Sequence, residues 1–161
     1  MPIVHEGALV PSAGRFLIVA SRFNQLVVDQ LVAGALDAFR RHGVAEGSVE
    51  IIRVPGAFEI PQATQRALRT GKYHGVVALG AVISGETDHY DHIAHSATNG
   101  LNRVALDTGI PVAHGVLTCK TTEQALDRAG LKSGNKGYEA ALVVLEMSNL
   151  FAHLVPERPT T

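Results

Sequence analysis

Short apolar runs alternate with amphipathic stretches from residue 15 to residue 154. Arg15–Ala20 (Arg-Phe-Leu-Ile-Val-Ala) is a continuous apolar run, the pattern of a strand covered on both faces. Ser21-Arg22-Phe23-Asn24 ends it, and a helix is predicted to about His42, with Val28, Leu31, Val32, Ala35 and Phe39 on one stripe and Gly43 as a stop. The pattern then repeats. Val49–Val54 is predicted as a strand ending at Pro55-Gly56, and Pro61 fits the first turn of a helix that carries Ile60, Ala63 and Ala67 and stops at Gly71. Gly75–Leu79 is a third strand, followed by a helix from near Asp88 that carries Ile93, Ala97, Leu101 and Val104 and ends before Gly109. Pro111–Thr118 is a fourth strand. Thr121 and Gln124 have capping-box spacing for a short helix ending at Gly130. A last helix follows Lys132–Gly137 and runs to about Leu154, with Ala140, Val144, Met147 and Phe151 inward.

Four strands alternating with helices imply βαβ units, right-handed crossovers and one parallel sheet with helices on both faces. The expected fold class is α/β: a three-layer α/β/α sandwich with a four-stranded parallel sheet. Residues 1–14, with Gly7, Pro11 and Gly14, read as a loosely structured arm, and Pro156–Thr161 as a frayed tail. The 161 residues contain no evident linker, so one domain spanning 1–161 is expected.

Composition narrows the function less than the pattern does. With 46% hydrophobic and 18% charged residues the chain is globular, and a formal charge of −1 makes no case for nucleic acid or a membrane surface. No apolar run reaches the roughly 20 residues that span a bilayer, and no signal peptide is visible at Met1–Glu6, so a cytoplasmic location is the expectation. The single cysteine, Cys119, cannot form an internal disulfide and has no base visibly paired with it, so it reads as an ordinary free thiol.

In such a fold every strand-to-helix loop lies on one edge of the sheet, where open α/β sheets bind ligands. Four loops converge there: Ser21–Asn24, Pro55–Glu59, Ser84–His89 and Cys119–Thr122. The third has the most chemistry. Leu79–His92 begins in an apolar run, passes through Gly80 and enters a polar segment that starts a helix, with His89 in its first turn. Backbone N–H groups at such a helix start suit an anion, and a histidine titrates near neutrality. There is no P-loop, no G-x-G-x-x-G after the first strand and no G-x-S-x-G elbow, so the fold's commoner cofactors are not supported.

Six stretches are recognisable together. They are Ala20–Asn24 (ASRFN), Val54–Pro61 (VPGAFEIP), Leu79–Asp91 (LGAVISGETDHYD), Gly115–Thr118 (GVLT), Glu123–Gly130 (EQALDRAG) and Gly134–Gly137 (GNKG). In register from about residue 3 to residue 152, the chain resembles lumazine synthase, the penultimate enzyme of riboflavin biosynthesis. The resemblance implies condensation of 5-amino-6-ribitylaminouracil with 3,4-dihydroxy-2-butanone 4-phosphate, giving 6,7-dimethyl-8-ribityllumazine, phosphate and water. It implies a flavodoxin-like fold, no metal and no organic cofactor.

The same resemblance assigns residues to roles. Phe23 matches the position that stacks on the pyrimidine. The backbone around Val82 and Ile83 meets the ring's polar edge, and Asn24, Ala57, Phe58 (backbone) and Glu59 lie at the positions that receive the ribityl chain. Gly85, Glu86 and Thr87 supply amides to the leaving phosphate, and Arg128 supplies its cation. His89 matches the base that moves protons, and Lys136 a contact to the heterocycle. Arg128, Lys136 and the position of His114 reach in from a neighbouring subunit in the family, which implies a pentamer at minimum. Some members build a hollow icosahedral shell of twelve pentamers, and the uninterrupted Lys132–Gly137 connection resembles theirs. The partners implied are the two small substrates, further copies of the chain, and riboflavin synthase.

Ser84 stands where the family commonly has arginine, Asp88 where proline often precedes the histidine, and Ser96 where glutamate is common. His92 and His114 also depart from the pattern. The base, the phosphate cation and the stacking ring are all retained.

Each residue also has a plainer interpretation on its own. His89 would be a surface histidine, Phe23 core, Arg128 and Glu59 charges suited to the helix dipole, and Lys136 a solvated loop charge. His89, His92 and His95 with Asp88 and Asp91 invite a metal-site reading, and hence a metallohydrolase, but positions three apart on a helix put the outer two histidines about 120° apart. The remaining alternative is a non-catalytic, flavin-binding or shell-forming paralogue.

Overall fold

The computed structural model describes residues 1–11, 14–86 and 89–155. Its strands are β1 (Arg15–Ser21), β2 (Val49–Val54), β3 (Tyr73–Ile83) and β4 (Val112–Cys119). Its helices are α1 (Gln25–Arg41), α2 (Ile60–Leu68), α3 (Tyr90–Thr108), α4 (Thr122–Arg128) and α5 (Lys136–His153). The strands pair in parallel, in the order β2-β1-β3-β4. One face carries α1, α4 and α5 over Phe16, Ile18, Val77 and Leu79, and the other carries α2 and α3 over Leu17, Val19, Val76 and Ala78. This is the expected three-layer flavodoxin-like sandwich. Both inner strands are apolar on both faces because both faces are covered.

β3 is longer than its sequence signal. The strand continues through Gly80 to Ile83, where the pattern marked an end at Leu79. Gly80 is a close approach and not a break: a Cβ there would lie 3.1 Å from both Ile60 Cδ1 and Ser21 Oγ. Ala81, Val82 and Ile83 then stay in register with Leu117, Thr118 and Cys119 of β4.

α5 also starts earlier than expected, at Lys136. Asn135 caps it, its Oδ1 accepting from Tyr138 N–H at 3.0 Å, while its Nδ2 donates to Gln30 O and to Ala129 O, each at 3.0 Å. Gly137 is obligatory here, since a Cβ would collide with the Leu31 carbonyl of α1. At the other end of α5, Phe151 is not inward but 40% exposed, and Met147 is half-buried. Ser148 Oγ donates to His74 O at the start of β3 (3.1 Å), so beyond it the helix has no sheet beneath.

α4 starts with the expected cap: Thr121 Oγ1 accepts from Gln124 N–H at 3.2 Å. The Gln124 side chain reaches one residue further back than a capping box requires and accepts from Lys120 N–H at 3.0 Å. Pro61 falls in the first turn of α2, as expected.

The sheet's amino edge is tied by charge. Glu50 at the start of β2 accepts from the Tyr73 hydroxyl and pairs with Arg15 Nη1 at 3.0 Å and Lys72 Nζ at 2.9 Å. These contacts, the tyrosine hydrogen bond foremost, lower the Glu50 carboxyl from its ordinary value to about 2. The arm lacks regular structure among its described residues and is fastened to α5 where Ala8 N–H donates to Asn149 Oδ1 at 2.8 Å. Among the described residues no helix is long and apolar enough to cross a membrane.

Candidate active site

The sheet's carboxyl edge holds a cavity of about 660 Å³. Three strand-to-helix turns build it. The turn after β1 gives Phe23, the turn after β2 gives Pro55–Glu59, and the end of β3 gives Ala81, Val82 and Ile83. His89 and Ile93 close the α3 side.

The first turn is held open by backbone bonds that prolong the β1–β2 ladder beyond its last residue. Arg22 N–H donates to Val54 O at 2.7 Å and Phe23 N–H to Pro55 O at 2.9 Å. Asn24 then turns the chain into α1 in the left-handed region (φ 59°, ψ 43°), the sole non-glycine residue there among the described residues. Its Nδ2 donates to Ala81 O at 2.9 Å. With the backbone so fixed, Phe23 stands out from the fold with 60% of its surface exposed, and Phe58 across the cavity with 61%. Two aromatic rings left in solvent at one concavity are unusual for single core-type residues and suit a flat ligand.

Seven of the residues expected at the site line this cavity: Phe23, Ala57, Phe58, Glu59, Val82, Ile83 and His89. His89 is the N-cap of α3, not a member of its first turn as expected; its carbonyl accepts from Ile93 N–H at 3.0 Å. That geometry puts His89 at the mouth of the helix, where it lines the cavity together with the end of β3. Pro55, Gly56, Ala81 and Ile93 also line the cavity without having been assigned to it; Ile93 was detectable, since it lies one helical turn after His89.

Ser84–Glu86 forms one 3-10 turn just beyond β3. Ser84 Oγ donates to Lys120 O at 3.4 Å, a long bond that joins this turn to the one after β4. Gly85, in the middle of this turn, is exposed. Thr87 and Asp88, the remainder of the expected phosphate turn, lie outside the described residues.

The three residues expected from a neighbour lie elsewhere on the chain. Arg128 ends α4 and its Nη1 donates to Cys119 Sγ at 3.0 Å. Cys119 belongs to the core beneath α1 and α5, the face opposite α2 and α3. Lys136 is the first residue of α5. His114 lies on β4, at one edge of the sheet, with Nε2 3.0 Å from Thr98 Oγ1 of α3. The protein packed around its ring lowers the His114 pKa from its ordinary value, with the Lys136 charge adding to the effect. None of the three lines the cavity, and no lysine or arginine does so among the described residues.

The His89 and His92 ring centroids are 6.5 Å apart with the rings tilted by 48°. Among the described residues there is no group of three or more His, Cys, Asp or Glu able to hold a metal ion.

A parallel α/β sheet whose carboxyl edge carries a concavity with aromatic faces, one carboxylate and one histidine is the flavodoxin-like arrangement, in which small molecules bind at that edge. Residues 13–152 match the family model described as 6,7-dimethyl-8-ribityllumazine synthase. The chain is 51% identical over 147 residues to the 6,7-dimethyl-8-ribityllumazine synthase of Anaeromyxobacter dehalogenans (strain 2CP-C), a match that covers 91% of each chain. The chain belongs to the 6,7-dimethyl-8-ribityllumazine synthase family.

Proposed function

We propose that this chain forms 6,7-dimethyl-8-ribityllumazine from 5-amino-6-ribitylaminouracil and 3,4-dihydroxy-2-butanone 4-phosphate, releasing phosphate and water, at the cavity over the carboxyl ends of β1, β2 and β3. One observation carries the assignment of the site. Three turns far apart in sequence bring Phe23, Phe58–Glu59 and His89 around one 660 Å³ cavity, as the family's two-substrate chemistry requires.

The pyrimidine stacks on Phe23 and its polar edge meets the backbone at Val82 and Ile83. The ribityl chain runs toward Ala57, Phe58 and Glu59, with Asn24 shaping that end of the site. The aromatic amine attacks the ketone and water leaves, giving an imine. Loss of a proton from carbon drives out the phosphate, and attack by the ribityl-bearing nitrogen closes the ring with loss of water. His89, which lines the cavity, moves the protons. Gly85, Glu86 and Thr87 receive the phosphate at their backbone amides.

A phosphate dianion in a site without its own cation needs one from outside. Arg128 and Lys136 are held on other parts of the chain, which supports a site completed by the next subunit, with His114 beside it. The assembly is then a cyclic pentamer of single-domain chains, and the uninterrupted Lys132–Gly137 connection supports its closure into a shell. The setting is cytoplasmic. Retention of Phe23, His89 and Arg128 stands against a non-catalytic paralogue.

The test is a product assay with both substrates, following lumazine fluorescence and inorganic phosphate together. Equimolar lumazine and phosphate, dependent on both substrates, are expected. A folded, assembled protein that yields neither contradicts the assignment.

A further inference from the structure

Arg128 is anchored at two levels. Its guanidinium Nη1 donates to Cys119 Sγ at 3.0 Å. The backbone just after it is fixed by Asn135 Nδ2, which donates to Ala129 O at 3.0 Å, and by an isolated bridge between Ala129 and Asn135. Cys119 is 3% exposed and is the last residue of β4. It pairs in register with Ile83, the last residue of β3, which lines the cavity and is followed directly by the Ser84–Glu86 turn. The sulfur therefore holds the guanidinium at the sheet's carboxyl edge.

The chemistry of the contact suits a holding role. An arginine at a helix end loses side-chain freedom when it binds an anion, and a side chain already held loses less. A thiol sulfur is a weak acceptor and a guanidinium has five N–H donors, so one Nη1–H on sulfur leaves the others for a phosphate. The phosphate's charge-assisted bonds are much stronger than the thiol's, so the contact orders the group without competing for it. A hydroxyl could do the same, whereas an aliphatic side chain could fill the space but not hold the guanidinium.

We propose that Cys119 is a positioning residue for Arg128, holding its guanidinium ordered for the butanone phosphate bound in the neighbouring subunit's site. This rests on the phosphate role of Arg128 given above. The thiol takes no part in covalent chemistry.

The test uses the full-length assembled protein, with the pyrimidine saturating and the butanone phosphate varied. Cys119→Val removes the acceptor and keeps an apolar side chain; the KM for the phosphate substrate is expected to rise about fivefold with kcat within about twofold of the wild type. Cys119→Ser restores an acceptor and brings that KM back to within about twofold. On an Arg128→Ala background, Cys119→Val adds no further rise, because no guanidinium remains to be held. A wild-type KM in Cys119→Val, equal impairment of Val and Ser, or an undiminished rise on the Arg128→Ala background each overturns the proposal. If Arg128→Ala alone leaves the phosphate-substrate KM unchanged, the phosphate role of Arg128 falls first and the proposal falls with it. Light scattering establishes that each variant is assembled; if Cys119→Val is not, Cys119→Ala takes its place with the same expected and contrary results.

Discussion

Asn24 Nδ2 donates to the carbonyl of Ala81 at 2.9 Å, joining the turn after β1 to the last quarter of β3. The bond ends on Ala81, which lines the cavity, and Asn24 makes it from a left-handed backbone conformation. Asn24→Ala therefore loses the bond and places an ordinary residue at positive φ, at a combined cost of about 2 kcal/mol. Asn24→Gly loses the bond but relieves the backbone, at about half that cost. Urea denaturation at one fixed subunit concentration separates them; equal losses for Ala and Gly would show that backbone strain at this position is immaterial.

His89 is the N-cap of α3 and lines the cavity. His89→Ala is expected to leave assembly and pyrimidine binding close to wild type while slowing turnover by about 100-fold, the lower end of what a positioned acid–base group contributes. Single-turnover kinetics with both substrates check this, and a wild-type rate would remove His89 from the proton transfers.

Phe23 and Arg128 divide the two substrates between them. Phe23→Ala is expected to weaken the pyrimidine about tenfold, through lost stacking and buried area, with a smaller effect on the butanone phosphate. Arg128→Ala reverses the pattern, weakening the phosphate substrate about tenfold or more. Steady-state KM values for both substrates in both variants decide it. Equal losses for the two substrates in either variant contradict the division.

The Glu50 cluster makes stability depend on acid. Its folded pKa of about 2 lies below the ordinary 4.5, so its contribution is complete above the ordinary value and is lost as pH falls from there toward 2. Tyr73→Phe removes the foremost cause of the shift and raises the folded pKa. The variant is then less stable than wild type at pH 6, and the gap narrows as pH falls below 4.5. Urea midpoints across that range measure it; a constant gap would mean that the hydroxyl does not act through Glu50.

Much of this fold is written in the chain's apolar pattern. The α1 stripe of Val28, Leu31, Val32, Ala35 and Phe39 is buried as its spacing requires. The pattern fails where tertiary contact decides. Gly80 looks like a break until Ile60 and Ser21 are seen against it, and the Asn135 cap, which starts α5 at Lys136, depends on Gln30 and Ala129 from other elements. Phe151 has the right period for the core, but no sheet lies beneath that end of α5.

For the site, periodicity gives only the edge at which four turns converge. The roles of Phe23, Glu59 and His89 come from motif resemblance, and the cavity brings those three together. Arg128, Lys136 and His114 could not be joined to that cavity by any local pattern: within the chain they end α4, start α5 and lie on β4, and only the proposed assembly would bring them to it.

That division between chains is tested most directly by mixing subunits. His89→Ala and Arg128→Ala chains, which as homo-oligomers retain about 1% and about 10% of wild-type activity at butanone phosphate well below the wild-type KM, are unfolded, combined in equal amounts and reassembled, and lumazine formation at that concentration is followed by fluorescence. If each site takes His89 from one subunit and Arg128 from the next, random assembly restores both groups at about a quarter of the sites, and about 25% of wild-type activity returns. Activity no greater than the mean of the two parent variants would place both residues in sites formed by single chains and contradict the shared site.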